Sequence, residues 1–320
     1  SPPAGEVSAK PTEGLTERPE NMQARCVPRF IQCFHRHKAK ERKYKMDRYA
    51  LIGFPLGHSL SPQIHSRLFS LTGTAAEYEK KEISPEELTA EYDWLSSLCG
   101  FNITIPHKVA IIDYCDRLDD GAKRYGSVNC VKVGAEKVGY NTDVLGFVKS
   151  IERLGASLNS KVLLIGCGGV GRMMAIETAL SGGELTISVL DSDRDKAEEV
   201  KREIAALKPD AKVEITGSPM NDTDGHFDLL VNATPIGMFP KTDRIPCGAE
   251  LLKKVDFVFD AVDNPRETLL TKTARENGAK AMNGMAMLVL QAAAAHEIWY
   301  GAHFENADLN RLISDMEELV

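Results

Sequence analysis

Three groups of residues in this sequence have types and spacings suited to chemistry. The first ends the stretch GFNITIPHK. There Phe101, Ile103, Thr104 and Ile105 form a short β-branched and aromatic run interleaved with polar residues, as in a strand. Pro106 cannot donate to a ladder and stops it. Directly beyond stand His107 and Lys108, a titratable pair at a strand's carboxyl end, where open α/β sheets bind ligands. Taken alone, Lys108 is equally a solvated loop lysine. The second group is GCGGVG at 166–171, whose glycines allow a tight turn and a close approach of backbone to phosphate. The third is the pair of hydroxyls Ser59 and Ser61, which suit either helix capping, the commoner role of such serines, or a ligand.

The elements around these groups decide what they mean. Lys161 to Ile165 is a nearly continuous apolar strand running into the glycines, Arg172 to Ser181 reads as a helix, and Leu185 to Leu190 as a second strand ending in Asp191. Strand, glycine loop, helix, strand and an acid about 20 residues past Gly171 make the dinucleotide fingerprint in its proper context. The helix start offers N–H groups and a positive dipole end to phosphates. A carboxylate at Asp191 suits a ribose 2′-hydroxyl and repels a 2′-phosphate. The following SDRDK is neutral in sum, and Arg194 softens that preference; NAD is favoured over NADP.

Before this unit the pattern predicts strands Tyr49 to Phe54, Glu77 to Glu82, Ser127 to Val133 and Lys137 to Tyr140. Helices are predicted over Pro62 to Leu71, with Ser61 as cap, over Pro85 to Ser97, and near Val109 to Asp116. After it come strands Phe227 to Asn232 and Phe257 to Val262, with helices Asp195 to Leu207, Ala249 to Lys254 and Glu267 to Asn277. The alternation argues for an α/β fold with a doubly wound parallel sheet. The end is helical, apolar and Ala-rich from about Met285, then amphipathic from Leu309 to Leu319.

Composition narrows the classes. A chain of 320 residues suits two domains, and 43% hydrophobic with 27% charged residues is ordinary for a globular protein. No apolar run reaches the roughly 20 residues of a membrane span. A net charge of −7 argues against a general nucleic-acid binder. Seven scattered cysteines without a C-x-x-C pair fit neither a disulfide framework nor a zinc site, and match a reducing cytoplasm. Residues 1–45 carry ten Lys and Arg against five Glu, a net of +5 that leaves −12 for the remainder. They lack a periodic apolar face and read as a disordered extension.

Together the motifs HSLSP (58–62), NITIPHK (102–108), GSVN (126–129), YNTD (140–143), GCGGVGR (166–172), NATPIGM (232–238) and GMAMLVLQAA (284–293) resemble the shikimate dehydrogenase family over about Asp47 to Val320. The resemblance implies a substrate-binding catalytic domain, residues 46–143 and 284–320, and a Rossmann domain, 144–283, with the C-terminal helices returning to the first. It implies reversible hydride transfer between a nicotinamide cofactor and the C3 carbonyl of 3-dehydroshikimate; the sequence itself shows no metal-ligand cluster and leaves monomer or homodimer open. It further implies Lys108 and Asp143 as the catalytic pair. Ser59, Ser61, Thr104, Asn129 and Gln291 become the substrate shell. The cofactor falls to Gly166, Gly168, Gly169, Val170, Gly171, Arg172, Asp191, Ala233, Thr234, Ala261 and Gly284. The chemistry suits these roles: a lysine ammonium supplies the proton that a reduced ketone needs and stabilises the charge that precedes it.

The chain also departs from the family pattern. Asp263 stands where a tyrosine is usual, which places a negative charge near an anionic acid. Val144 and Ala286 replace glycines. Asp191, Ser192 and Asp193 replace the Asn-Arg-Thr of NADP-binding members, as in the NAD-linked quinate/shikimate branch, whereas Ser61 leans towards shikimate.

Overall fold

A computed structural model describes residues 46–57, 59–222 and 225–320; the expected extension, residues 1–45, lies outside them. The first lobe opens with strand β1 (Asp47–Gly53), a helix Ser61–Thr72 and strand β2 (Ala76–Glu82). Next come a short helix Tyr92–Ser96, strand β3 (Gly100–Ile103), a 3₁₀ turn Ala110–Tyr114 and strand β4 (Arg117–Leu118). Helix Asp120–Tyr125 and strands β5 (Cys130–Val133) and β6 (Lys137–Tyr140) complete it. The sheet order is β2-β1-β3-β5-β6-β4. β1 pairs in parallel with β2 and β3, whereas β5 runs antiparallel to β3 and β6. Tyr49, Ala50, Leu51 and Ile52 of the inner strand β1 are buried on both faces, as inner parallel strands demand. The edge strand β2 instead carries exposed Glu77, Glu79, Lys80 and Glu82, which discourage edge-to-edge pairing.

The second lobe strings together β7 (Lys161–Ile165), helix Gly169–Leu180, β8 (Glu184–Val189), helix Arg194–Leu207, β9 (Val213–Gly217) and β10 (Phe227–Asn232). It continues with helix Ala249–Leu252, β11 (Val255–Asp260), helix Leu269–Glu276 and β12 (Lys280–Met282). All six strands are parallel, in the order β12-β11-β10-β7-β8-β9. That is the doubly wound dinucleotide-binding arrangement, and its switch point lies between β7 and β10, where ligands are expected.

Some expectations change. The predicted helix over Pro85–Ser97 is mostly tight i→i−3 turns, with Ala90 N on Glu87 O and Glu91 N on Leu88 O, before true helix begins at Tyr92. Leu88, Leu95 and Leu98 anchor that segment in the first lobe's core. The predicted helix near Val109–Asp116 is the 3₁₀ turn. The edge strand β9, the short β12 and the helix Asp120–Tyr125 carry too little periodic signal to stand out in the sequence.

Two helices join the lobes. Helix Asp143–Leu154 contributes Phe147, Ile151 and Leu154 to the second lobe's core, alongside Val162, Leu164 and Met173. Helix Met285–Tyr300 returns to pack Val289, Leu290 and Ala293 against Ile64 and Leu68 of the first lobe. Trp299 Nε1 donates to Val131 O at 3.0 Å, and Lys132 Nζ to Ile298 O at 2.8 Å, fastening that helix to β5. Among the described residues no helix is long and apolar enough to cross a membrane.

The two joining helices meet at Gly146, where a Cβ would stand 2.7 Å from the Met287 carbonyl oxygen and 3.1 Å from Gln291 Cβ. A glycine inside a helix normally gains about 1 kcal/mol on replacement by alanine. Here the sign should reverse. Gly146→Ala is expected to destabilise the protein by about 1–3 kcal/mol through overpacking against backbone, read as a lower urea midpoint at unchanged slope.

Candidate active site

The site is built on the stop after β3. Thr104 N still bonds Ile52 O at 2.9 Å, and the chain then turns, with His107 N on Thr104 O at 3.0 Å. His107 is buried, and its Nε2 lies 2.6 Å from Ile83 O, so it anchors the turn beneath its neighbour. Lys108 is thereby aimed outward from a fixed loop, its carbonyl receiving Val128 N at 2.8 Å. Its Nζ donates to Asp143 Oδ2 at 2.7 Å, with the two side chains 23% and 16% exposed.

Asp143 is the first residue of its helix, where the dipole favours a carboxylate. Asn129 holds the other oxygen: Nδ2 donates to Asp143 Oδ1 at 2.8 Å and to Thr142 Oγ1 at 3.0 Å, while Oδ1 accepts Thr142 N at 2.7 Å. Thr142 reaches Gln291 Oε1 at 3.4 Å, and Gln291 Nε2 is held by Leu288 O at 2.8 Å. Residues 35 and 149 positions apart thus share one polar network. The buried Thr142 is a member that motif reading passed over, although it lies inside YNTD.

Ser59 and Ser61 bond each other, Oγ to Oγ at 3.2 Å, and Ser61 N donates to Ser59 Oγ at 3.3 Å. The helix starts at Ser61 with Leu60 in the cap position, so Ser59, not Ser61, accepts a main-chain N–H there. Thr104 lies partly exposed, four residues before Lys108. Among the described residues no direct hydrogen bond joins the two serines to the lysine's network.

At the switch point, Gly166 has φ +92°, and a Cβ at Gly171 would lie 2.4 Å from Gly166 O, so turn and helix start need those glycines. A Cβ at Gly168 or Gly169 would meet nothing within 4 Å. This open, amide-lined cradle fits a dinucleotide's pyrophosphate. Val170 is exposed beside it. Arg172 is engaged elsewhere: its Nε donates to Glu203 Oε2 at 2.9 Å and its Nη1 to Tyr125 O at 2.6 Å. Asp191 stands exposed just beyond β8. Ala233 N bonds Ile165 O, Ala261 N bonds Asn232 O, and Gly284 N bonds Val262 O, at 2.9, 2.9 and 2.8 Å, which lines these tips along the same sheet edge. Thr234 is fixed by Asn232 Oδ1, 2.7 Å from its hydroxyl.

The departures fall as follows. Asp263 is half-buried past β11, and burial pushes its carboxyl above the ordinary carboxylate value. Val144 packs against the second core and Ala286 is buried in the helix joint. His226, Asp228 and Asp256 are a metal-compatible trio within 4.8 Å. They sit at the strands' amino ends, opposite the glycine cradle. His226 pairs with Asp256 at 3.0 Å, and Asp228 accepts Lys161 N at 2.7 Å.

Comparison with known proteins agrees with this architecture. The family model for the shikimate dehydrogenase substrate-binding domain matches residues 51–131. A shikimate dehydrogenase (NADP(+)) of Shouchella clausii is 36% identical over 274 residues, 83% of this chain and 97% of its own. That of Methanocaldococcus jannaschii is 38% identical over 259 residues, 78% and 90%. Among solved structures, a shikimate dehydrogenase in complex with NADP+ superposes with a TM-score of 0.77 at 35% identity, covering 84% of this chain and 95% of that one. The Listeria monocytogenes shikimate 5-dehydrogenase in complex with shikimate and NAD gives 0.73 at 27% identity, covering 86% and 96%.

One further group holds the sheet edge and has no motif of its own. Asp260, fully buried at the end of β11, accepts Asn232 Nδ2 at 2.9 Å, Val262 N at 3.1 Å and the Thr268 hydroxyl at 2.7 Å. Burial pushes its carboxyl up to about 6 from 3.8, against the opposing pull of those donors. The folded state therefore binds the proton more tightly than the unfolded chain, and this group's contribution to stability falls as pH rises between about 4 and 6, then levels. In Asp260→Asn the amide oxygen still accepts from Asn232 and Val262, and no charge is buried. Its stability relative to the parent is expected to rise by roughly 2–3 kcal/mol between pH 4 and 6 and to stay flat above, measured by urea denaturation across pH.

Proposed function

The chain belongs to the shikimate dehydrogenase family, and from that premise we propose that it catalyses the reversible oxidation of shikimate to 3-dehydroshikimate with a nicotinamide cofactor. The observation that carries this reading is the Lys108–Asp143 pair, partly exposed and braced by Asn129. When bound, the cofactor supplies the hydride acceptor or donor. The residues fit it: Gly166, Gly168, Gly169, Val170 and Gly171 offer an open amide-lined turn, and Ala233, Thr234, Ala261 and Gly284 border it on the sheet edge.

The chain's own work is to bind, orient and move a proton. Ser59, Ser61, Thr104, Asn129 and Gln291 supply neutral donors and acceptors for a polyhydroxylated ring. In reduction the Lys108 ammonium gives a proton to the ring oxygen; in oxidation the neutral amine, its proton having passed to water, takes one from the ring hydroxyl. Asp143 keeps that amine aimed, and the positive charge stabilises the oxyanion. Arg172 contributes through its place in the first helical turn, since its guanidinium holds Glu203 and Tyr125.

For the cofactor we propose NAD. Asp191 is exposed just past β8, and a carboxylate about 4 Å from one phosphate charge is disfavoured by about 1 kcal/mol or more. A second reading, a related amino- or deoxy-ring acid as substrate, is motivated by the half-buried carboxyl of Asp263, and quinate by the Asp191, Ser192 and Asp193 run.

Initial rates over a matrix of shikimate, quinate and an amino analogue against NAD and NADP test these points together. Shikimate with NAD is expected to be fastest. A tenfold preference for NADP overturns the Asp191 argument, and a higher kcat/KM for quinate replaces the substrate. Lys108→Ala is expected to lower kcat by about 10²–10⁴-fold; near-full turnover removes the lysine's assigned role.

A further inference from the structure

Tyr125 belongs by sequence to the first lobe, yet it is 2% exposed within the second lobe's core, beside Phe147, Met173 and Met174. Both of its polar ends are gripped by the helix Gly169–Leu180. Its carbonyl accepts Arg172 Nη1 at 2.6 Å, and its hydroxyl donates to Glu177, one and a half turns further along. Arg172 is itself fixed by a two-pronged pair with Glu203 of the next helix. Burial and the Glu177 carboxylate push the phenol well above its ordinary value, which keeps it a neutral donor.

The residues just after Tyr125 grip the catalytic pair. Gly126 ends the helix, and Ser127 O accepts Asn141 Nδ2 at 3.1 Å, with Asn141 Oδ1 receiving Asp143 N at 3.1 Å. Val128 N holds the Lys108 carbonyl at 2.8 Å, and Asn129 holds Asp143 Oδ1 at 2.8 Å. A segment of five residues therefore runs from the helix that presents its amino end to the pyrophosphate cradle to both members of the proton-transfer pair.

We infer that Tyr125 is a positioning residue that couples the two binding events: seating of a dinucleotide at the glycine turn is passed through Arg172, Glu177 and Tyr125 to the 126–129 segment, tightening the substrate site. The inference rests on the proposed function. Tyr125 touches neither substrate nor cofactor.

The test is calorimetric titration of the full chain with shikimate, without and with saturating NADH, and NADPH in parallel, pairs that bind but cannot turn over. In the parent, the reduced cofactor is expected to tighten shikimate about fivefold or more. Tyr125→Phe and Glu177→Ala should bring that ratio to within a factor of two of one, whereas Glu177→Gln, which keeps an acceptor for the hydroxyl, should retain it. A merely structural role would lower the melting temperature and weaken shikimate equally in both states, leaving the ratio as in the parent; that result overturns the inference. So does a ratio of one in a parent that binds shikimate. A parent that binds reduced cofactor but no shikimate overturns the substrate assignment instead.

Discussion

An ion pair drawn largely out of water holds only if the surrounding groups do what water did. Lys108 and Asp143 each lose hydration on entering the site, an effect worth several kcal/mol per ion that their attraction offsets only in good geometry. The fold supplies that geometry from both sides. Asp143 has the Lys108 ammonium on one oxygen and the Asn129 amide on the other. Its place in the first turn of a helix adds the favourable end of a dipole. Lys108 is fixed by its main chain, through the Val128 N–H, while the buried His107 beside it pins the loop to Ile83. Val128 and Asn129 are neighbours in one segment, so both members of the pair depend on that segment being placed correctly.

The same logic explains why two helices bridge the lobes. The helix that begins with Asp143 ends in the second lobe's core, where burying a side chain such as Phe147 contributes about 1.5–3 kcal/mol. The helix that carries Gln291 is anchored in the first lobe through Trp299 and its aliphatic face. They can lie close enough for Thr142 to reach Gln291 only because Gly146 has no side chain. The Thr142–Gln291 contact and core packing are therefore set by the same pair of helices.

Much of this was legible in the sequence where a local rule has a local cause. β7 and β10 match their apolar runs residue for residue, because strands buried on both faces are written as continuous hydrophobic text. The glycine turn was legible because backbone geometry allows few other residues at 166 and 171. The pairing of Lys108 with Asp143 was not derivable from spacing; family resemblance supplied it, and the geometry now gives its distance. Thr142 and Tyr125 escaped because their partners Asn129, Gln291, Arg172 and Glu177 lie far away in sequence, and Asp260 because no motif covers it although Val262 and Thr268 are near. Arg172 shows the converse, a motif residue whose side chain is turned to Glu203 and Tyr125. The segment Pro85–Ser97 had helix-forming composition, but its first half closes i→i−3 turns while Leu88 and Leu95 are buried in the first lobe's core.

Asp260 and Asp191 contrast in how tightly the fold holds a carboxylate near the glycine turn. Asp260 is buried, carries three donors and braces the tips of two strands, so any change there alters the sheet edge on which the cradle depends. Asp191 is exposed past β8, and its main-chain carbonyl accepts Arg194 N–H while its side chain holds no other described group. Its charge can change with little effect on folding, since exposed substitutions away from packed features shift stability by about half a kilocalorie per mole or less. Under the proposed reading that charge would face a ribose hydroxyl or the phosphate in its place. The Lys108–Asp143 pair, though partly exposed, is by contrast braced by the fold. Asp263 lies between these extremes: burial raises its carboxyl, so its own charge state is tied to how tightly the strand tip is enclosed.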